Sequence, residues 1–252
     1  MKNKFVAIVA ASLAAITMLG GCGAGSADST AAGNSTLTVG TDATFQPFEY
    51  QEGGNYKGFD IDLVQALAKK LGYSKVQFVN TEFKGLIPGL LSKKFDMVAS
   101  AVYITDERKQ QIDFSDPYYP GGLSIMIPSD DTTISKGSDL AGKTVVVQTG
   151  TKSVEWLKAN VPTAKIVEVE SNNEMFLQVS SGKADAAVTG KPAAESYAKT
   201  DPKVKVVEQT LTTEEYGFGF RKNDSALKNK INGALKELKS NGTYDKIKSE
   251  YF

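Results

Sequence analysis

Histidine is absent from this 252-residue chain, and cysteine occurs only once, at Cys22. Without imidazole there can be no Ser-His-Asp triad, no histidine-ligated metal and no imidazole acid-base catalysis. One cysteine has no partner for a disulfide and provides too few thiolates for a zinc site. We therefore expect neither a metal nor any other cofactor.

Excess charge is also absent, because 29 Lys and Arg residues balance 29 Asp and Glu residues. A neutral chain lacks the basic footprint of nucleic-acid binding and the polybasic patch of membrane-surface binding. The hydrophobic content of 41% is ordinary for a globular protein. The length is sufficient for one large domain or two modest ones.

A long membrane-spanning run is missing, but the N-terminus has the pattern of an export signal. Lys2 and Lys4 precede the apolar run 5–19, which is short for a membrane span. The sequence LGGC at 19–22 resembles a lipobox, in which cleavage precedes the cysteine and the thiol is diacylated. An ordinary signal peptide with an incidental cysteine is the alternative.

The lipobox interpretation divides the N-terminus into a signal peptide, 1–21, and a lipid-anchored tether, 22–35. Small and hydroxylated residues dominate the tether, which is typical of a flexible linker. Two acyl chains on Cys22 would give stable anchoring, since each buried methylene contributes about 0.8 kcal/mol. We expect the protein on the extracytoplasmic face of the cell membrane.

From Thr36 onward, patterns typical of strands and helices alternate. Asp60 is a plausible N-cap of a helix over 60–71, and Thr105 can cap another helix. Repeated alternation predicts parallel sheets covered by helices on both faces. The pattern restarts after 118–122, which predicts two α/β lobes. The other predicted strands are 36–41, 75–79, 95–101, 123–127, 144–148, 166–169, 185–188, 205–207 and 216–220, and the other predicted helices are 86–92, 153–160, 172–181, 192–199, one from 227 to 238 and one at 242–250.

Four segments in fixed order carry a family resemblance: GFDIDL at 58–63, FKGLIPGL at 83–90, ITDERK at 104–109 and DFSDPYY at 113–119. Together they resemble the family 3 bacterial solute-binding proteins of polar amino-acid ABC transporters. The resemblance implies the type II periplasmic-binding-protein fold, with two α/β lobes joined by two hinge strands and a ligand cleft between them. The implied parts are lobe 1 at 36–117 and 217–252, hinge strands at 118–122 and 212–216, and lobe 2 at 123–211.

The resemblance assigns the ligand carboxylate to Arg108 and Thr151. The planar guanidinium of Arg108 can make two parallel charge-assisted hydrogen bonds. Backbone N–H groups of 149–151, at a helix N-terminus, could cradle the same carboxylate. The alternatives are a surface Arg108 paired with an acid of its own helix, and a plain loop capped by Ser153.

Other positions match ligand contacts of the family. Phe45 and Phe83 correspond to the aromatic residues that sandwich the ligand, although core packing would explain them as well. Asp42 corresponds to a contact with the distal end of the ligand, or it holds its own loop. The remaining positions that the resemblance places in the ligand-binding site are Ala101, Gln148 and Thr189.

Two positions depart from the family pattern. Amino-acid binders hold the ligand ammonium with a lobe-2 aspartate and a lobe-1 Ser or Thr, where this chain has Gly190 and Tyr103. A buried ammonium without a carboxylate partner is costly. Either another acid substitutes, or the cation is delocalised or alkylated and meets an aromatic box. A slipped register, with Lys191 or Glu195 nearby, would also explain the departure, and an aspartate introduced at Gly190 would then leave amino-acid binding unchanged instead of improving it.

We therefore expect a monomeric, non-enzymatic binding protein that captures a polar amino acid or related carboxylated solute by lobe closure. Its partners would be that small ligand, a cognate ABC permease and the membrane through Cys22, with no nucleic acid. Alternatives are a binder of an ectoine-like compatible solute or an opine, and a cyclohexadienyl-dehydratase-like enzyme on the same fold. A receptor sensing domain would be followed by a membrane span and a signalling module, and the sequence ends at Phe252 with neither.

Overall fold

The computed structural model describes residues 35–252 of the chain. The predicted signal peptide, the lipobox with Cys22 and the tether up to residue 34 lie outside the described residues. No helix of the described part is long and apolar enough to cross a membrane.

Strands and helices alternate along the described chain. In chain order the strands are β1 Thr36–Thr41, β2 Thr44–Phe45, β3 Glu49–Glu52, β4 Asn55–Lys57, β5 Lys75–Asn80, β6 Met97–Val98, β7 Asp113–Phe114, β8 Tyr119–Pro120, β9 Leu123–Pro128, β10 Thr144–Gln148, β11 Lys165–Val169, β12 Ala186–Gly190, β13 Val204–Thr210, β14 Glu215–Tyr216 and β15 Gly219–Phe220. The α-helices are α1 Phe59–Lys70, α2 Leu86–Leu91, α3 Asp106–Gln111, α4 Lys152–Asn160, α5 Asn172–Ser180, α6 Lys191–Thr200, α7 Ser225–Ser240 and α8 Thr243–Ser249. Short 3-10 turns occupy Phe83–Gly85 and Gly137–Leu140.

Two five-stranded sheets form the centres of two lobes, as the sequence predicts. The first lobe contains the sheet β5-β1-β6-β15-β7 and the second contains β11-β10-β12-β9-β13. Apolar side chains pack on both sheets. One cluster around Leu90 lies in the first lobe and one around Met126 in the second, whereas a third cluster includes both Leu67 of the first lobe and Val147 of the second. The exact lobe boundaries stay a prediction.

The sheets are mixed, whereas the alternation of strands and helices predicted parallel sheets. Strands β1, β5 and β6 are parallel, as are β10, β11 and β12, but β15 runs antiparallel to β6 and β7. In the second lobe β9 runs antiparallel to both β12 and β13. The reason is topological, since the chain enters and leaves the second lobe through β9 and β13 at one edge of the sheet.

Local capping differs from the prediction at one of two helices. Thr105 accepts a hydrogen bond from Arg108 N at 3.3 Å and caps α3, as expected. At α1 the N-cap is Gly58, not Asp60. Gly58 has φ +126°, and a Cβ there would lie 2.1 Å from Phe48 O, so only glycine fits. The carboxylate of Asp60 is therefore released from capping and points into the protein interior.

The β8–β14 ribbon connects the lobes and is surrounded by aromatic rings. Tyr119 pairs with Tyr216 in this antiparallel ribbon. Phe48 packs edge-on against both rings, with centroid distances of 5.1 and 5.2 Å. Phe48 comes from the β2-β3-β4 hairpin, which the sequence pattern did not predict because its strands have two to four residues. The unpredicted hairpin thus brings Glu49 beside the hinge.

Candidate functional site

A cavity lies between the lobes. All the ligand-binding residues predicted from the sequence line it except Arg108. Those residues are Asp42, Phe45, Phe83, Ala101, Tyr103, Gln148, Thr151, Thr189 and Gly190. Their contact with a ligand stays a prediction. The cavity is also lined by residues that the sequence did not predict, namely Glu49, Ser100, Leu123, Lys152, Ser153, Asn172, Val188 and Tyr216.

Polar side chains join the lobes across the cavity. Gln148 Nε2 of the second lobe donates to Asp42 Oδ2 of the first at 2.5 Å. Asn172 Nδ2 donates to Gln148 Oε1 at 2.9 Å and lies 3.2 Å from Thr44 Oγ1 of the first lobe. Because Asp42, Gln148 and Asn172 are almost fully buried, the hydrogen bonds form away from water, and they hold the lobes against each other around the cavity.

Arg108 lies in the wall behind Phe83. Its Nη1 donates to Tyr103 O at 3.1 Å, and its Nη2 donates to Gly150 O of the second lobe at 3.3 Å. The guanidinium carbon is 5.4 Å from the centroid of the Phe83 ring. Arg108 is 6% exposed, so the alternative of a surface arginine is wrong. Arg108 and Gly150 line a recess next to the main cavity, and Phe83 lines both.

The buried guanidinium of Arg108 has no carboxylate partner. Within residues 35–252, no acidic oxygen lies within salt-bridge distance of it. Burial lowers the pKa of Arg108, and the field of Glu155 only partly offsets this effect. A desolvated cation that meets only carbonyl oxygens is well suited to attract an anionic group.

The N-terminus of α4 provides a second anion-binding element. Thr151 is its N-cap, and Thr151, Lys152 and Ser153 line the cavity. The Thr151 hydroxyl donates back to Gln148 O at 2.7 Å, so backbone N–H groups rather than this hydroxyl are left for an anion. The Thr149 N–H is unavailable because it bonds Val169 O at 2.9 Å. Ser153 is not the cap, which corrects that alternative.

Aromatic rings cover one side of the cavity. Phe45 and Phe83 line it as predicted, although Phe45 also packs on the core residue Phe48. Tyr103 and Tyr216 lie with ring centroids 4.6 Å apart, and their hydroxyls hydrogen-bond at 3.2 Å. Burial raises the pKa of both phenols, which therefore stay neutral.

Gly190 faces the two tyrosine hydroxyls. A Cβ at this position would lie 2.4 Å from the Tyr216 hydroxyl oxygen, 2.9 Å from Phe45 Cζ and 3.5 Å from the Tyr103 hydroxyl oxygen. The backbone φ of −60° is open to any residue, so space and not conformation requires glycine here. The space that a side chain at position 190 would need is taken by the phenol groups, whereas the family resemblance implies an aspartate side chain there.

Two acids line the cavity, and both are buried. Asp42 Oδ1 accepts from Thr44 Oγ1 at 3.0 Å, and Oδ2 accepts from Gln148. Burial raises the pKa of Asp42 to about 6, although these hydrogen bonds oppose the rise. Asp42 thus holds its own loop and lines the cavity, and its contact with the distal end of a ligand stays a prediction.

Glu49 is the second acid, and it forms a carboxyl pair with Asp60 beneath the cavity. Glu49 Oε1 accepts from Ser100 Oγ at 2.9 Å. Asp60 Oδ2 accepts from Ala101 N at 2.9 Å and from the Tyr118 hydroxyl at 2.6 Å. Burial raises the pKa of Glu49 well above its usual value and that of Asp60 to about 7. The pair therefore retains one proton near neutral pH.

Metal binding is not supported by this arrangement. Over residues 35–252, no group of three or more acidic, Cys or His side chains is placed to hold a metal ion. The cavity instead offers acids, amides and aromatic faces, and the guanidinium of Arg108 lies in the adjoining recess.

Comparison with known proteins places the chain in a family. Residues 37–252 match the model of the bacterial extracellular solute-binding proteins, family 3. The chain belongs to this family. It is 38% identical to the arginine-binding extracellular protein ArtP of Bacillus subtilis, with 100% of this chain and 98% of that protein covered. It is 32% identical to the L-cystine-binding protein TcyJ of Escherichia coli, with 86% and 82% covered.

Solved structures of amino-acid-binding proteins have the same fold as this family 3 protein. An ancestral arginine-binding protein bound to arginine matches with a TM-score of 0.83 and 44% identity, covering 86% of this chain and 98% of that chain. The ancestral amino acid-binding protein AncCDT-1, described as a precursor of cyclohexadienyl dehydratase, matches with a TM-score of 0.81 and 47% identity, covering 86% and 95%. The predicted family and type II fold are thus confirmed. The curated relatives are solute-binding proteins and not enzymes, in agreement with the prediction.

Because the lobes approach closely at Gly150, adding a single methyl group there is expected to affect ligand binding. Gly150 has φ +75°, and a Cβ there would lie 3.1 Å from Lys84 Cβ and 3.2 Å from Lys84 Cα in the other lobe. We expect Gly150→Ala to weaken ligand binding at least about tenfold, because the closed arrangement loses about 1.4 kcal/mol or more. Isothermal titration calorimetry measures the change.

Gly142→Ala is the matched control for backbone strain. Gly142 also belongs to the second lobe and has φ +72°, but a Cβ there would meet nothing within 4 Å. We expect this variant to lose some stability and no affinity. Equal affinity losses in the two variants would mean that strain, and not lobe contact, causes the effect.

The buried acids predict that the ligand-free protein is more stable at pH 5 than at pH 8. In the folded state the pKa of Asp42 is about 6 and that of Asp60 is about 7, both above the ordinary pKa of 3.8 of an aspartate side chain. The folded state therefore binds protons that the unfolded state releases, and stability is gained as the pH falls through the folded pKa values. The two shifts together give an increase of about 4 kcal/mol in the free energy of unfolding.

Urea unfolding at the two pH values tests this expectation. The double variant Asp42→Asn, Asp60→Asn should lose the part of the pH response that these two carboxyl groups contribute, whereas Glu49, whose pKa burial also raises, keeps its own part. A wild-type protein that is less stable at pH 5 than at pH 8 would contradict the assignment.

Proposed function

We propose that the chain is the lipid-anchored substrate-binding protein of an ABC importer, and that it captures a polar amino acid by lobe closure. The carrying observation is a buried cation in the recess beside the interlobe cavity together with buried acids that line the cavity. Arg108 is a buried cation without a carboxylate, whereas Asp42 and Glu49 are buried acids without a cation among residues 35–252. An amino acid has the complementary charges.

The ligand carboxylate would bind Arg108 and the backbone N–H groups at the start of α4. Each hydrogen bond to a charged group contributes about 1.5–3 kcal/mol. The ligand side chain would extend towards Asp42 between Phe45 and Phe83, whose faces attract a cation. Arginine is the first probe to use, because relatives and structural neighbours are arginine-binding proteins.

Lobe closure would couple capture to transport. Gln148 and Asn172 bond across the cleft to Asp42 and Thr44, and ligand contacts to both lobes would add to the closed state only. A ligand with contacts of this kind shifts the population towards closure. The permease can then distinguish loaded from empty protein.

A thermal-shift screen with the twenty amino acids, ectoine, glycine betaine and opines tests the ligand class. A solute at a hundredfold excess over its Kd stabilises the folded state by about 2.7 kcal/mol. A shift with one or more amino acids supports the proposal. The absence of any shift would contradict it, and turnover of a ligand that binds would favour the enzyme alternative.

A second candidate ligand is a cyclic or N-substituted amino acid, such as an ectoine-like solute or an opine. The specific observation that favours it is the phenol group of Tyr216 at Gly190, where the family carries an acid. Aromatic faces bind a delocalised or alkylated cation without a carboxylate. A shift with ectoine or an opine that exceeds the shifts with all amino acids would select this candidate.

Anchoring through Cys22 is tested separately. We expect Cys22→Ala to prevent acylation and to release the protein from the membrane fraction, because no acyl chain remains to hold it. The distribution between membrane and medium, followed by immunoblotting, measures the effect. A variant that stays with the membrane would show that another element anchors it, and unchanged ligand affinity in the variant is the control.

A further inference from the structure

The amine-binding position of the family is closed in the second lobe of this protein. A side chain at Gly190 would collide with the Tyr216 hydroxyl, which lies 2.4 Å from the place of a Cβ. Tyr103 fills the neighbouring lobe-1 position, and burial keeps its phenol neutral. If the ligand is an amino acid, as in the proposed function, its ammonium must find an acid elsewhere.

Asp42 is poorly placed to be that acid. Both of its oxygens already accept side-chain hydrogen bonds, from Thr44 at 3.0 Å and from Gln148 at 2.5 Å. Its bond with Gln148 joins the lobes, so an ammonium that displaced Gln148 would weaken closure. Asp42 is better suited to the distal end of the ligand.

Glu49 has the properties that Asp42 lacks. It lines the cavity, is fully buried, and its Oε2 has no N–H or O–H donor from another side chain or the backbone in the described part of the chain. Asp60 Oδ1 lacks such a donor as well. The two carboxyl groups interact, since the charge of Asp60 adds to the effect of burial in raising the pKa of Glu49. Neither forms a salt bridge among residues 35–252.

The hydrogen-bond partners show where the charge of this pair rests without a ligand. Asp60 Oδ2 accepts from Ala101 N and from the Tyr118 hydroxyl, as an ionised carboxylate would. Glu49 accepts one bond, from Ser100, which suits the carbonyl oxygen of a neutral acid. When the pair holds one proton, its negative charge has no counter-ion among residues 35–252, and only Glu49 of the two lines the cavity.

We propose that Glu49 is a specificity-determining residue that binds the ligand ammonium in place of the missing lobe-2 acid. On binding, the shared proton moves from Glu49 Oε2 to Asp60 Oδ1, and the negative charge of the pair moves to Glu49. Charge and protons are conserved within the pair, and the ammonium becomes its counter-ion. Asp60 acts as a positioning residue that stores the proton.

Calorimetry with matched ligands isolates the ammonium contact. L-arginine is compared with δ-guanidinovaleric acid, and L-glutamine with glutaramic acid, which differ from the amino acids only by the α-amine. We expect Glu49→Gln to lower the preference for the amino acid over its des-amino analogue at least about tenfold. The affinity for the des-amino analogue should stay nearly unchanged.

Asp60→Asn is the matched control. The asparagine oxygen can still accept from Ala101 N and Tyr118, and its amide can donate to an ionised Glu49. We expect this variant to retain more of the amine preference than Glu49→Gln. An unchanged preference in Glu49→Gln, or a larger loss in Asp60→Asn, would overturn the assignment.

Proton release by the wild-type protein provides a readout that does not depend on the folding of a variant. At pH 6, below the pKa of about 7 of Asp60, the pair without ligand takes up a second proton, which the ammonium displaces. Binding measured at this pH in two buffers of different ionisation enthalpy should therefore show more protons released with L-arginine than with δ-guanidinovaleric acid. Equal proton release would count against the inference. If no amino acid binds the wild-type protein, the proposed function fails and this inference fails with it. A wild-type protein that binds amino acids while Glu49→Gln retains the preference refutes the inference only.

Discussion

Arg108→Ala is expected to weaken the binding of carboxylated ligands about a hundredfold or more while the fold survives. The guanidinium would make two charge-assisted hydrogen bonds to the ligand carboxylate, and their loss removes about 3 kcal/mol or more. The ligand-free protein should lose little stability, because burial already disfavours the charge of Arg108 and lowers its pKa. Calorimetry measures the affinity, and circular dichroism measures the fold.

Lys109→Ala is the control for a cation of the same helix. Lys109 is exposed and pairs with Asp106 within α3, so this variant should bind ligands like the wild-type protein. If Arg108→Ala also binds carboxylated ligands with unchanged affinity, Arg108 is not part of the site, and the carboxylate must be held by the α4 N-terminus without it.

Gly190→Asp is expected to abolish or greatly weaken binding of all ligands, including ordinary amino acids. By family pattern, this change would install the missing acid and improve amino-acid binding. The structure predicts the opposite result, because a Cβ alone would lie 2.4 Å from the Tyr216 hydroxyl. Relief requires movement of buried rings or opening of the lobes, at a cost of about 1–3 kcal/mol or more.

Tyr216→Phe in the Gly190→Asp background tests this steric explanation, because it removes the colliding oxygen. We expect partial recovery of affinity in the double variant. Gly233→Ala, at a helix position where a Cβ meets nothing within 4 Å, is the control and should bind normally. Improved amino-acid affinity in the single variant Gly190→Asp would refute the steric explanation.

The composition and the ordered motifs were sufficient for the family and the fold class. The lack of histidine and the presence of only one cysteine excluded imidazole catalysis, histidine-ligated metals and disulfides. Four segments between 58 and 119 identified the family. Local signals also placed most helices, since apolar periodicity and caps such as Thr105 depend on nearby residues. Strands β2 to β4 were missed because two to four residues are too short to show a period.

Tertiary structure decided which residues share the cavity and which charges are compensated. Nothing near Glu49 in the sequence indicates a site, and only the packing of the hairpin against the hinge brings it together with Asp60 and Ser100. Tyr216 is distant in sequence from Tyr103 and Gly190, yet its hydroxyl fills the space beside that glycine. Sequence motifs record residue types at fixed spacing, whereas steric exclusion and desolvation depend on which groups the fold places within a few ångströms of each other.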